Sequence, residues 1–500
     1  MGPVTIMKFG GSTLGEDGVF IDKIIERINE KIKRRSKVVA VFSAPLIRYR
    51  GKLSSITDIA IHIGKNYAQS NPIEIDVLRD VYENIASSNL TEEYHKKFSD
   101  EINKFHKEVI VSLKQAAENR RFVDVTRSRT LAYSGEIPMS YLMDYVLRSK
   151  NIRSAHVELE RWPIITDDNF EAANFLIDES RAKSEHFYQL IEKNNVVTIG
   201  GFIGKTIDGL ETTYERGGSD RSAADVAILL NENYKAELDF EKDNAVLSAD
   251  PKIVKKELDS IKFLSYNEAR LAGMFGMKIL DPLAIKEIDN NNMDIPIVIT
   301  NMNNPSNTTT ISKTSADQAG NLVKIVTGKR NCAIVRMESI AASHLLASLE
   351  SDKQYHDFLK LSPYKKEGIE ITRILFLDGD YVRRNEHHFK AYYSKTEIVY
   401  DRGVVTLIGD NMWKKPKIAS TTSSTVGEHG INILNLDAQE ETSRTVSYTH
   451  LTLPTIPLPS SATQQRQRSS RPMRSSIQLS QRATNAASTS AGSPSSQRNT

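Results

Sequence analysis

A single cysteine, Cys332, in 500 residues leaves no internal disulfide to form, and a chain folded without one fits a reducing compartment. Long apolar runs are missing too: none approaches the roughly 18 to 20 residues needed to span a bilayer. The N-terminus enters strand-forming sequence near Val4 with no charged-then-apolar leader. No export signal is therefore expected, and the expected location is cytoplasmic. The 11 histidines are scattered without metal-ligand spacing and no Cys–His cluster exists, so a zinc or metal-hydrolase reading has little support. Asp, Glu and Lys are absent from position 442 onward, where there are seven arginines; without these the formal +3 becomes −4. The basicity belongs to the tail, and no nucleic-acid partner is expected for the folded part.

What is present is an alternation of strand and helix signals from residue 4 to about 314. VVAVFSAP (38–45), VVTIGGFIG (196–204) and IPIVITN (295–301) read as strands. Residues 21–32 and 98–117 read as amphipathic helices, and 130–147 as one long helix carrying Glu136. Such alternation implies an α/β fold, a mainly parallel sheet between helix layers, with ligands beyond the carboxyl ends of the strands. The length calls for two or three domains.

Two glycine loops fall at those strand ends. In KFGGST (8–13) a lysine closes a strand beside a glycine turn, where it can meet phosphate charge while backbone N–H groups bind the oxygens. Its lysine precedes the glycines, so it is neither a Walker loop nor GxGxxG. The second loop, RGGSD (216–220), follows a hairpin turning at Asp208-Gly209. It opens a helix on which Ala223, Val226, Ala227 and Leu230 recur at helical spacing. Gly217 and Gly218 allow close backbone approach, and Ser219 or Asp220 can cap the helix. Arg216 offers a two-point fork for a carboxylate or phosphate. Alone, RGGSD also reads as a cap and a tight turn; its pairing with KFGGST is what makes the combination specific.

Together with VFSAP (41–45), SGE (134–136), TTYERGGSD (212–220), LSADPKIV (247–254), SYNEA (265–269) and GMKILDP (276–282), these loops give the chain a pattern. It resembles the aspartate kinases of the amino-acid kinase superfamily, in the family's order, over roughly residues 4–448. The resemblance implies phosphoryl transfer from ATP to the side-chain carboxylate of L-aspartate, giving 4-phospho-L-aspartate on the way to lysine, threonine and methionine. It implies Mg2+ arriving with ATP and held mainly by the phosphates, with no metal site built by the protein. Lys8 is then the catalytic cation over the transferring phosphate, and Asp220 orients Lys8 and the loop or serves only as an N-cap. Gly10, Gly11, Ser12, Gly217, Gly218 and Ser219 line the phosphates. Glu136 meets the substrate ammonium and Arg216 its α-carboxylate, with Ser43 and Thr57 completing the substrate set. Asp250, Lys252 and Lys278 face the nucleotide. An aspartate side chain, with a pKa near ~4, is already an anion. No base is needed, and the work is charge compensation and in-line positioning.

Several positions depart from the family. Glu241, Lys242 and Ala245 stand where Thr, Asp and Gly are common, and Asp281 where histidine is usual. Tyr214-Glu215 replaces Leu-Gly, and KFGGST inverts the usual Thr-Ser order. The hydroxyls survive, so the phosphate side stands; the departures bear on the adenine and ribose side.

From about residue 322 a strand (323–337), a helix (340–349), a strand (404–410), a helix (416–428) stopped by Gly430, and INILNLDAQ (431–439) follow one another. This resembles the paired ACT modules of the same family. A catalytic domain is expected at 1–314 and an ACT region at 322–448, with its second module cut short. Lysine or threonine is the expected effector, and a homodimer or higher homo-oligomer the expected assembly. VSYTHLTLPT (446–455) leaves the family's pattern and is what one reading frame of a transposase-type sequencing adapter encodes. Residues 449–500 are accordingly expected to be a disordered, non-native tail. Two other functions compete: another kinase of the superfamily, acting on glutamate, acetylglutamate, carbamate or a nucleotide, and a non-catalytic ACT-type amino-acid sensor. Retention of Lys8, Glu136, Arg216 and Asp220 together favours the catalyst.

Overall fold

The computed structural model describes residues 2–215, 217–313, 322–351, 358–414, 416–438 and 442–448, all within one compact unit. Arg216 and the tail expected at 449–500 lie outside the described residues.

One layer is an eight-stranded sheet. Its order is Phe263–Ser265, Thr308–Ser312, Ile297–Asn301, Lys235–Lys242, Pro3–Phe9, Lys37–Phe42, Val196–Gly200, Ser154–His156. Every pairing is parallel except that of Ile297–Asn301 with Thr308–Ser312. Val38, Val39, Ala40 and Val41 are buried without exception, as central strands must be when both sheet faces are covered. Helix Ile21–Lys33 supplies part of that cover. It turns Ile21, Ile24, Ile25 and Ile28 inward, with Asp22 in its first turn and Lys31 and Lys33 in its last, as the helix dipole favours.

The register levels the carboxyl ends. Phe9 pairs with Phe42 on one side and Glu241 on the other, and Phe42 pairs with Gly200. Lys8, Ser43, Gly201 and Lys242 therefore emerge along one edge of the sheet, where α/β folds bind ligands. The hairpin around Asp208-Gly209 forms as expected, pairing Ile203–Lys205 with Glu211–Thr213.

The expected single helix over 130–147 is two helices, Asp124–Ser134 and Glu136–Ser149, meeting at Gly135. Gly135 takes φ −112° and ψ −108°, and a Cβ there would come within 2.8 Å of the Leu131 carbonyl oxygen. The buried Tyr82 hydroxyl donates to the Ser134 and Gly135 carbonyls freed by the break, at 2.9 and 2.5 Å. Pro138, two residues into the second helix, is tolerated there because first-turn N–H groups have no helical partner to lose.

The second sheet has six strands, all paired antiparallel, in the order Phe358–Lys366, Ile369–Phe376, Ile325–Glu338, Glu397–Ile408, Thr442–Tyr448, Ile433–Ala438. Ala333, Val335 and Met337 pack against Ala342, Leu345 and Leu349 of helix Ser339–Ser351 and against Phe376 and Phe389. The expected helix before Gly430 is Ile418–Glu428. This sheet is bonded to the first layer beside the segments LSADPKIV and GMKILDP. Val326 N–H donates to the Ser248 carbonyl and Thr327 Oγ1 to that of Phe275, both at 2.9 Å. Buried Glu268 accepts from Lys324 Nζ and from Asp410 N–H, both at 2.7 Å. Among the described residues no helix is long and apolar enough to cross a membrane.

Candidate active site

The two glycine loops meet. Lys8 Nζ, at the end of its strand, lies 2.8 Å from Asp220 Oδ1, and both side chains are about nine-tenths buried, at 11% exposure each. Asp220 does not cap its helix. Helix Gly218–Asn231 starts after Gly217, which sits at φ 98°, a conformation only glycine adopts cheaply, and no side chain caps it. Asp220 is thus in the first turn, free to face Lys8, and its Oδ2 accepts from Asp281 N–H at 3.2 Å. Burial pushes the Asp220 carboxyl up, but the charges of Lys8 and Lys242 outweigh it and hold the group below its usual range.

Ser43 continues its strand, with its N–H on the Phe9 carbonyl at 3.0 Å, and its hydroxyl is 2.8 Å from that of Ser219. Ser43, expected in the substrate set, is therefore brought together with Ser219, and Lys8 with Asp220, the residue after Ser219. Gly10 and Gly11 begin the short helix Gly11–Leu14 beside Lys8, and Ser12 within it is exposed. Thr13 Oγ1 ties that turn to the Glu241 carbonyl at 2.9 Å.

Glu136 is buried at the start of its helix because the chain breaks at Gly135. Thr57 reaches it from helix Ile56–Ala68, which Ser55 caps by accepting from Asp58 N–H at 3.1 Å. The Thr57 Oγ1 to Glu136 Oε1 contact is long, 3.5 Å, and among the described residues Glu136 Oε2 has no hydrogen-bond partner. Burial drives the Glu136 carboxyl up to about 7, against hydrogen bonds from its own and the Ala44 N–H, from Thr57, and the charge of Lys8. A buried carboxyl with an orphaned oxygen is a receptor for a cation.

The nucleotide candidates are held differently. Lys252 N–H donates to Asp250 Oδ1 at 2.8 Å, a contact within one turn, and Lys252 and Lys278 are both exposed. Asp281, three residues past Lys278, caps helix Pro282–Asn290 by accepting from Leu283 N–H at 2.9 Å. Burial raises its carboxyl to about 6.

Two residues beside the site have no role in the sequence reading: Tyr82 is not singled out, and Lys242 stands only as a departure from a motif. Tyr82 pins the turn that delivers Glu136, and nothing in its local sequence announces that. Lys242 stands at the end of the strand beside the Lys8 strand, and its charge acts on Asp220. Its place could have been found by counting from the strand end. Glu241 beside it is occupied elsewhere, accepting from Arg27 Nε at 2.9 Å.

Residues 3–301 match the profile of the amino acid kinase family. The chain is 24% identical over 457 residues to the bifunctional aspartokinase/homoserine dehydrogenase of Buchnera aphidicola, covering 86% of this chain and 52% of that protein. It is 24% identical over 453 residues to an aspartokinase of Helicobacter pylori, covering 87% of this chain and 93% of that one. The chain thus spans about half the length of the bifunctional relatives it matches. The solved structure of E. coli aspartokinase III in complex with aspartate and ADP aligns with a TM-score of 0.71 at 18% identity, over 89% of this chain and 96% of that one. At that identity the likeness is one of fold.

Proposed function

The chain belongs to the amino acid kinase family, and from that premise we propose that it is an aspartate kinase, transferring the γ-phosphoryl group of ATP to the side-chain carboxylate of L-aspartate. The observation that carries this reading is the Lys8–Asp220 pair, 2.8 Å apart, which joins the two glycine loops at one edge of the sheet. The relatives named aspartokinase and the aspartate and ADP bound in the E. coli structure support the choice of substrates.

In this reading Asp220 holds Lys8 over the transferring phosphoryl group and, kept ionised by two lysines, exchanges no proton. Backbone groups of Gly10, Gly11, Ser12, Gly217, Gly218 and Ser219 take phosphate oxygens. Glu136 binds the substrate ammonium, whose charge draws the carboxyl back to its ionised form, and Thr57 steadies it. Arg216 takes the α-carboxylate, and Ser43, paired with Ser219, holds the reacting carboxylate near the phosphate. An aspartate carboxylate oxygen then forms the new bond to phosphorus as the bond to the ADP oxygen breaks, and no proton moves. Lys252, Lys278 and Asp250 serve the nucleotide. Among the described residues no group of three His, Cys, Asp or Glu side chains is placed to hold a metal. In this reading Mg2+ arrives with the nucleotide and neutralises charge on its phosphates.

Residues 1–314 form the catalytic part and 322–448 an ACT-type regulatory part that binds an amino acid, lysine or threonine. The bonds from Val326 to Ser248 and from Thr327 to Phe275 lead from it to either side of the nucleotide motifs. The protein acts in the cytoplasm as a homodimer or larger homo-oligomer. The deciding experiment measures ADP release from ATP with L-aspartate, L-glutamate, acetylglutamate or no acceptor. Release that needs L-aspartate is expected; release indifferent to the acceptor, or none, would overturn the reading.

A further inference from the structure

We propose that Lys242 is a second phosphate-contacting cation, so that Lys8 and Lys242 together grip the terminal phosphates of the nucleotide while sharing the single charge of Asp220. The inference rests on the nucleotide-binding reading above and adds to it a residue that the phosphate motifs do not include.

The placement comes from the sheet. Strands Pro3–Phe9 and Lys235–Lys242 run parallel with Phe9 opposite Glu241, so Lys242 leaves the sheet one step beyond that pair, beside the glycine loop. Along a strand successive side chains alternate in direction. Glu241 is taken by Arg27 at 2.9 Å and Asp239 by Lys31 at 2.8 Å, while Asp220 is taken by Lys8. Among the described residues no carboxylate lies within 4.0 Å of the Lys242 ammonium. Its hydrogen-bond partner is instead a neutral carbonyl, that of Ile279, in the loop that carries Lys278 and sends the Asp281 N–H to Asp220.

A buried ammonium resting on a neutral carbonyl next to another lysine is only partly compensated. Burial is the largest influence and pushes its pKa down; the charge of Asp220 counters it next, Lys8 adds to the lowering, Asp243 opposes it least, and the net direction is down. Charge of this kind is tolerated where an anion is meant to arrive. Exchanging the Ile279 carbonyl for a phosphate oxygen replaces a bond to a neutral acceptor with one between two charges, the stronger kind.

The test compares the full chain with its Lys242→Met and Lys242→Arg variants, using calorimetric binding of ADP and AMP with Mg2+ and in EDTA, alongside thermal melting. Lys242→Met is expected to weaken ADP about tenfold or more in EDTA and less with Mg2+, since the metal neutralises the same oxygens. AMP, which lacks the second phosphate, should bind all three proteins alike. Lys242→Arg should bind ADP nearly as the parent does, and ligand-free melting of Lys242→Met should not fall. Equal ADP affinity in parent and Lys242→Met overturns the proposal alone. So does a loss shared by ADP and AMP together with lowered melting, which marks Lys242 as a tie for the Ile279 loop. A parent chain that binds no ADP under either condition overturns the nucleotide reading and this proposal with it.

Discussion

On the proposed phosphate and substrate side of the site, contacts join elements far apart in sequence: Lys8 to Asp220, Ser43 to Ser219, Thr57 to Glu136. On the proposed nucleotide side Asp250 and Lys252 bond within one turn, and Lys252 and Lys278 stand in solvent. The difference is between charges fixed in a low-dielectric setting and charges screened by water. The first are costly to hold and act strongly on a reacting group, while the second add affinity in small, salt-dependent steps.

The sharpest way to break this comparison is Lys8→Ala. Removing a preorganised charge aimed at the transferring group should lower kcat by on the order of 10²-fold or more, with a smaller change in the aspartate KM. Steady-state kinetics at saturating ATP decide it. A near-normal kcat would take Lys8 out of the phosphate site and erase the distinction between the two sides.

Next in size are the substrate anchors. Glu136→Gln and Arg216→Lys should each raise the aspartate KM by about tenfold or more while ATP binding stays near that of the parent. The first loses the ammonium partner, and the second keeps charge but loses the two-point fork. If ATP affinity collapses and aspartate affinity does not, the substrate assignment is wrong.

If Glu136 is the ammonium partner as proposed, its burial should also make aspartate binding depend on pH. With its carboxyl raised to about 7, the ammonium partner is mostly protonated at pH 6 and mostly ionised at pH 8. The aspartate KM should therefore rise about tenfold from pH 8 to pH 6, and Glu136→Gln should flatten the profile. The stability sign follows from the same shift. A folded-state pKa above the unfolded value means the contribution is complete below the unfolded value, near ~4.5, and is lost as pH rises through about 7. Glu136→Gln should then melt higher than the parent at pH 8 without substrate, by a margin that shrinks toward pH 5. A parent KM that ignores pH would contradict the burial of this carboxyl.

The side of the site that is fixed across the sheet was also the side most legible from sequence. Glycine pairs behind strands and the helical spacing of Ala223 to Leu230 encode local geometry, and a parallel sheet brings strand ends together without further information. The break at Gly135 was misread as helix because apolar spacing runs across it. The signals against one helix, Gly135 and Pro138, were present but lie beneath a periodic pattern that only a tertiary partner, Tyr82, resolves. Glu241 and Lys242 read as departures from a motif. In the fold Glu241 has become an ion-pair partner for Arg27, a long-range exchange that no local pattern encodes. Of the two readings of Asp220, partner of Lys8 or cap only, the cap gives way for a related reason, since Gly217 at positive φ starts the helix unaided and leaves the carboxylate facing Lys8.

The smallest expected effect lies on the nucleotide side and sharpens the comparison from below. Lys252 is exposed, and the bond that shapes its turn runs from its backbone N–H to Asp250 Oδ1, so Lys252→Ala keeps the turn and removes only the charge. An exposed charge about 4 Å from a phosphate contributes on the order of 1 kcal/mol in water, about fivefold in affinity. The ATP KM should rise by that factor with kcat unchanged. Raising the salt to about 0.5 M should shrink the gap between variant and parent, because the screening length falls to a few ångströms. The Lys8→Ala defect, which acts between buried groups, should persist at the same salt. A Lys252→Ala variant that loses kcat as Lys8→Ala does, and does so at any ionic strength, would mean that Lys252 closes onto the transferring phosphate, and the two sides would have to be treated as one.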